Sequence, residues 1–156
     1  NGFMIIEVQL RTAVELMEFG ERIGRLLRGG EILELVGDVG AGKTTLTKGI
    51  ARGLQIDDEV QSPTFTISRS YDTPSGLRLA HYDFYRLHDA GIMKMELDEA
   101  LHDLQTITVL EWSGIVDDVL PSDVLRVTIQ TQPDDSRKLL LQSGGERSDT
   151  IVEGLR

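Results

Sequence analysis

The chain has no cysteine. Disulfides, thiolate zinc sites and a cysteine nucleophile are thereby excluded, a usage that fits a reducing cytoplasm. Basic residues are scarce: 16 Lys and Arg stand against 26 Asp and Glu, a formal net charge of −10. A surface of that sign repels a phosphate backbone instead of gaining from counterion release, which argues against tight direct binding of nucleic acid. The acidic clusters Asp57-Asp58-Glu59, Asp98-Glu99, Asp117-Asp118 and Asp134-Asp135 read locally as solvated loops or helix ends. No stretch is long and apolar enough to span a membrane. The opening Asn1-Gly2-Phe3-Met4 lacks the charged-then-apolar layout of a secretory signal. An Asn-Lys-x-Asp segment is also missing, so guanine selectivity has no visible source. With 156 residues, no internal repeat and no long linker, the expectation is one domain around one core.

What the chain does contain is a complete Walker A sequence, Gly37-Asp38-Val39-Gly40-Ala41-Gly42-Lys43-Thr44. Its glycines let the loop wrap with backbone N–H groups pointing inward at phosphate oxygens. Lys43 can then reach the β- and γ-phosphates, while the Thr44 hydroxyl is offered to Mg²⁺. The context agrees. Glu31 to Val36 is a short β-prone run behind Gly29-Gly30, and Leu46, Ile50 and Leu54 follow at helical spacing with Gly53 near the stop. Phosphates would sit at a helix N-terminus, where unpaired N–H groups and the helix dipole favour anions. The expected contacts of a bound nucleotide are therefore Asp38, Val39, Gly40, Ala41, Gly42, Lys43, Thr44 and Thr45.

Around this unit the pattern predicts an α/β fold of P-loop NTPase type, with a mostly parallel central sheet and an antiparallel hairpin. Thr12-Ala13-Val14-Glu15 has the form of a capping box. The helix it opens spreads Val14, Met17, Phe19, Ile23, Leu26 and Leu27 over an apolar face, with Glu18–Arg22 and Glu21–Arg25 as i,i+4 pairs. Residues 65–71 and 77–83 flank the turn Thr73-Pro74-Ser75-Gly76 and read as the hairpin. A short helix is expected from Met95 to His102, a buried strand from Thr106 to Leu110, and two further strands at 124–130 and 138–142. The tail from Ser143 yields no assignment.

A P-loop needs acidic help with Mg²⁺, usually from the end of a neighbouring apolar strand. Two strands end in an acid. One is Ile107-Thr108-Val109-Leu110-Glu111, like a Walker B strand with Glu in place of Asp. The other is His81-Tyr82-Asp83, where alternation puts His81 and Asp83 on one face. Glu111, closing a nearly continuous apolar run, should cost energy unless employed. Lys43, Asp83 and Glu111 are the candidate catalytic groups, and Thr44, Glu111 and Asp83 the candidate metal ligands. Thr64, in the loop after Pro63, could sense a γ-phosphate as switch-loop threonines do. Trp112, the only tryptophan, reads equally as a packing aromatic or a contact at the site.

In this order and at these spacings, the stretch from Gly37 to Leu54, Ser62-Pro63-Thr64-Phe65-Thr66, His81-Tyr82-Asp83-Phe84-Tyr85-Arg86-Leu87 and Glu111-Trp112 resemble the TsaE family. These are small bacterial P-loop ATPases needed to form threonylcarbamoyladenosine on tRNA. The likeness runs from about residue 12 to residue 130. It implies that Lys43 and Thr44 bind ATP with Mg²⁺, that Glu111 is the Walker B acid, and that Thr64, Asp83 and Trp112 complete the site. It also implies a weak ATPase that works with protein partners of the threonylcarbamoyl-transfer complex and touches tRNA only indirectly. Ser113 stands where the family commonly has proline, Leu16 where it often has a small polar residue, and Arg137 where a basic residue lies near the nucleotide. Three other readings share the P-loop: a small-molecule kinase, a GTPase switch and a non-enzymatic nucleotide-binding module. The kinase lacks an obvious arginine-bearing lid in the sequence, and the GTPase lacks its base-reading segment.

Overall fold

Strand β2 (Ile32–Val36) lies fourth of seven in one sheet of order β1-β7-β6-β2-β5-β4-β3. A computed structural model describes residues 3–63, 67–89, 91 and 93–156. The other strands are β1 (Ile5–Leu10), β3 (Ser68–Asp72), β4 (Arg78–Asp83), β5 (Thr106–Glu111), β6 (Leu125–Thr131) and β7 (Arg137–Gln142). The inner strands β6, β2, β5 and β4 run parallel, while β3 at one side and β7 and β1 at the other pair antiparallel. The chain is thus a single α/β domain, as its motifs predict, whose parallel centre carries the expected hairpin on one side and further antiparallel strands, β7 and β1, on the other.

Alternation along the strands sorts the core into two faces. Leu33 and Leu35 of β2, Ile107 and Val109 of β5, and Leu79 of β4 face helices α1 (Ala13–Leu26), α2 (Lys43–Gly53) and α4 (Glu146–Leu155). Ile32, Leu110, Ala80 and Tyr82 face α3 (Met93–His102) and a 3-10 helix at Ser113–Val119. The strand ends that follow these runs converge at the P-loop, which is how a single sheet edge gathers the site.

Helices α1 and α2 touch backbone to backbone. A Cβ added at Gly20 would stand 2.5 Å from the Leu46 carbonyl oxygen, and one at Gly49 would overlap the Met17 carbonyl. Thr12 caps α1, its side chain accepting from the Glu15 N–H at 3.1 Å. The buried face of α1 differs from the expected stripe: Leu16 joins Phe19 and Ile23 in the core, whereas Val14 is exposed. Glu21 pairs with Arg25 as expected, at 3.7 Å. Arg22 instead donates to the Leu155 carbonyl at 3.1 Å and lies over the Phe19 ring, which ties α1 to α4.

The hairpin is present as β3 and β4. Its turn is closed by the Thr73 N–H on Leu77 O and by the Leu77 N–H on Thr73 Oγ1, at 2.9 and 3.0 Å. Residues 65 and 66, where the expected hairpin begins, lie outside the described residues. The tail forms α4, whose N-terminus is capped from a distance. Asp123 accepts the N–H groups of Arg147 and Ser148 at 2.9 and 3.1 Å and the Ser148 hydroxyl at 2.6 Å. Among the described residues, no helix is long and apolar enough to cross a membrane.

Candidate functional site

The phosphate loop leaves β2 and turns into α2. Gly42, at φ +116°, occupies the left-handed region at the helix N-cap, and a Cβ there would also stand 2.6 Å from the Leu16 side chain. Only glycine meets both conditions. The Leu46 N–H closes the first helical turn on Gly42 O at 2.9 Å. The N–H groups of Lys43, Thr44 and Thr45 therefore have no acceptor within the helix, and no acidic residue occupies its first turn to answer them. This end of α2 is built for an anion.

An open cleft of about 380 Å³ lies over it. Val39, Gly40, Gly42, Lys43, Thr44 and Thr45 form one wall; Ser62, Asp83, Tyr85, Arg86, Glu111 and Trp112 form the other. The two acids arrive from neighbouring parallel strands in register, Asp83 opposite Glu111. Asp83 accepts the Tyr85 N–H at 3.0 Å, and Glu111 is held by the buried His81, Nε2 to Oε2 at 2.6 Å. An ionised carboxylate only accepts, so the imidazole donates through Nε2. Among the described residues, the buried His81 Nδ1 has no partner. The imidazole fixes where Glu111 points, and Glu111 lines the cleft.

Lys43 is folded back. Its ammonium donates to the Gly37 carbonyl at 2.6 Å and sits 4.1 Å from the centroid of the Trp112 ring. Burial pushes its pKa below the ordinary lysine value, against the opposing pull of Glu111, Asp83 and Asp38. Trp112 is 38% exposed and tilts against Tyr85 with ring centroids 4.8 Å apart. It packs on the lysine and lines the cleft.

Of the residues singled out from sequence, Val39, Gly40, Gly42, Lys43, Thr44, Thr45, Asp83, Glu111 and Trp112 share this cleft. Asp38 and Ala41 belong to the loop's own framework: the Ala41 N–H donates to Asp38 O at 3.0 Å, and the Ala41 side chain is buried. Thr64 lies outside the described residues. Arg137 does not line the cleft; its Nε donates to Ala41 O at 2.8 Å and braces the loop from behind. Tyr85 and Arg86 entered the sequence reading only as parts of a motif, yet both reach the cleft. Their signal was their place two and three residues after Asp83.

Among the described residues, no group of three or more acids and histidines could enclose a metal ion. The site still suits Mg²⁺, which is normally held by one or two carboxylates, a hydroxyl and phosphate oxygens without an all-protein cage. Thr44, Glu111 and Asp83, all lining the cleft, are the oxygen-bearing side chains that could meet such an ion.

The family model described as "Threonylcarbamoyl adenosine biosynthesis protein TsaE" matches residues 10–139. The chain belongs to the TsaE family. Similar curated relatives carry the name tRNA threonylcarbamoyladenosine biosynthesis protein TsaE. That of Bacillus subtilis is 40% identical over 126 residues, covering 81% of this chain and 78% of the relative. That of Streptomyces coelicolor is 39% identical over 140 residues, covering 85% and 93%. The crystal structure of Bacillus subtilis YdiB superposes with a TM-score of 0.82 at 30% identity, covering 99% of this chain and 96% of that one. The family membership and the α/β fold expected from the motifs both stand.

Proposed function

We propose that this chain acts in threonylcarbamoyladenosine formation on tRNA as an accessory protein that binds ATP with Mg²⁺ and hydrolyses it slowly by itself. The observation that carries this reading is the cleft in which Lys43 and Thr44, at a helix N-terminus, face Asp83 and Glu111. In it Lys43 neutralises phosphate charge, the loop N–H groups hold the phosphate oxygens, and Glu111 and Thr44 hold the metal side. Asp83 orients the attacking water. Bound Mg²⁺ would neutralise charge developing between the β- and γ-phosphates.

The proposed partners are proteins of the threonylcarbamoyl-transfer complex, with tRNA reached only through them and the cytoplasm as the place of action. The rim supports this. Val39 is 73% exposed and Tyr85 51% exposed beside Trp112, an apolar border round a charged cleft. The net charge of −10 suits a protein surface better than tRNA. Covering that rim would exclude water and order the groups that face the γ-phosphate.

Steady-state ATPase measured with and without the transfer partners, at equal Mg²⁺ and salt, tests the reading. The rate is expected to be low alone and to rise with partners. A fast, partner-indifferent rate, with phosphate appearing on small alcohols or acids by thin-layer chromatography, would move the kinase reading to the front.

A further inference from the structure

Glu34 takes no part in the cleft chemistry, yet it is a carboxylate buried on the central strand. Burying that charge is costly unless it is paired and hydrogen-bonded. Here both oxygens are used. Arg126 Nε donates to Oε1 at 3.0 Å, and the Ser113 hydroxyl donates to Oε2 in a short hydrogen bond. Ser113 is itself buried and begins the 3-10 helix directly after Trp112.

Trp112 stands at φ +55° and ψ +49°, in the left-handed region. Residues with a Cβ hold that conformation only where their surroundings impose it. The indole has space on both sides. The phosphate cleft borders it on one side, and a second cavity of about 300 Å³, walled in part by Glu34, Lys43, Trp112 and Ser113, on the other. Its ring contacts are Tyr85, at 4.8 Å between centroids, and the Lys43 ammonium, at 4.1 Å. The fixed point is the backbone behind it.

We propose that Glu34, steadied by Arg126, is a positioning residue: through Ser113 it locks the Trp112 corner so that the indole stays over Lys43. The anchoring is a property of the ligand-free chain. Its consequence, that Lys43 is presented to phosphate in one place, rests on the ATP reading above.

Because Trp112 is the only tryptophan, its fluorescence reports the corner directly. The full chain would be compared as wild type, Ser113→Ala, Glu34→Leu and Glu34→Gln, with far-UV circular dichroism to confirm folding. Ser113→Ala is the mild variant and decides the matter if Glu34→Leu fails to fold. Ser113→Ala and Glu34→Leu are expected to red-shift the emission and steepen acrylamide quenching. Glu34→Gln, which keeps an acceptor for the Ser113 hydroxyl, should stay near wild type. A merely structural role for Glu34 would lower stability in Glu34→Leu without moving the Trp112 emission of the folded protein. Titration with Mg·ATP should then show roughly two- to tenfold weaker binding in Ser113→Ala, the range one lost hydrogen bond supplies. Unchanged emission and quenching in Ser113→Ala would overturn the anchoring. A clear emission shift with unchanged ATP affinity would uphold the anchoring and count against the part given to Trp112 and Lys43 in the ATP reading.

Discussion

Asp83 and Glu111 are register partners on adjacent parallel strands, so two carboxylates stand side by side facing the phosphate loop. Neighbouring strands lie about 4.8 Å apart, close enough for like charges to repel and for a cation to relieve them. Glu111→Gln keeps an acceptor for His81 while removing the charge. Hydrolysis in the presence of partners is expected to fall by roughly 10²-fold or more, with ATP still bound. Asp83→Asn should slow hydrolysis with a smaller change in the Mg²⁺ titration. Equal and unaltered Mg²⁺ dependence in both variants would remove the two acids from the metal side.

Lys43→Met should abolish ATP turnover with the fold intact. Its effect on stability has a definite sign. A lysine whose pKa is lowered on folding pays a penalty that is full below its folded pKa and disappears as pH rises through the unfolded value. Removing the ammonium while keeping the stem is therefore expected to leave the melting temperature equal to or above that of wild type near neutrality. The difference should narrow in the alkaline range. Thermal melts at several pH values check this, and a marked loss of stability at neutral pH would contradict it.

Gly49→Ala puts a methyl group against the Met17 carbonyl, where backbone cannot yield without moving a helix. A destabilisation of about 1–3 kcal/mol is expected from overpacking of this kind, read by urea denaturation. ATP affinity should drop with it, because α2 carries Lys43 and Thr44. A change at an exposed residue, Glu18→Ala, serves as the control and should alter neither.

Asp123→Ala removes the cap of α4 and should cost about 1 kcal/mol at neutral pH. Burial works to raise the Asp123 pKa, but the hydrogen bonds from the Ser148 hydroxyl and the Arg147 and Ser148 N–H groups outweigh it and hold it below the ordinary value. A depressed carboxylate stabilises above its unfolded pKa and loses that contribution as pH falls through its folded pKa. The stability gap between wild type and variant should therefore close in acid. A gap that persisted at low pH would show that packing, not the charged cap, holds α4.

The P-loop unit, the hairpin and the acid-ending strands were legible because each has a local signature: glycine spacing, a turn sequence, an apolar run closed by Glu111. The α4 helix was not. Its capping acid is Asp123, more than twenty residues upstream, and a capping pattern read along the chain cannot see it. The face of α1 was misjudged at Val14 and Leu16 because the close approach of α2 rotates the burial towards Leu16, which packs beside Gly42. His81 and Asp83 could be placed on one face from alternation, but the pairing of His81 with Glu111 depends on the β4–β5 register, which only the folded sheet reveals. Glu34 looked like an ordinary strand residue. Its partners come from Ser113 and Arg126, on segments far along the chain.

The glycine contact between α1 and α2 also has a mechanical meaning. Where side chains separate two helices, rotamer changes can absorb a push; where main chains touch, there is nothing soft in between. Helix α1, though it contributes no residue to the cleft, is in effect a lever fastened to the phosphate loop. Anything that tilts α1 must carry the N-terminus of α2 with it, and with that the spot where Lys43 waits.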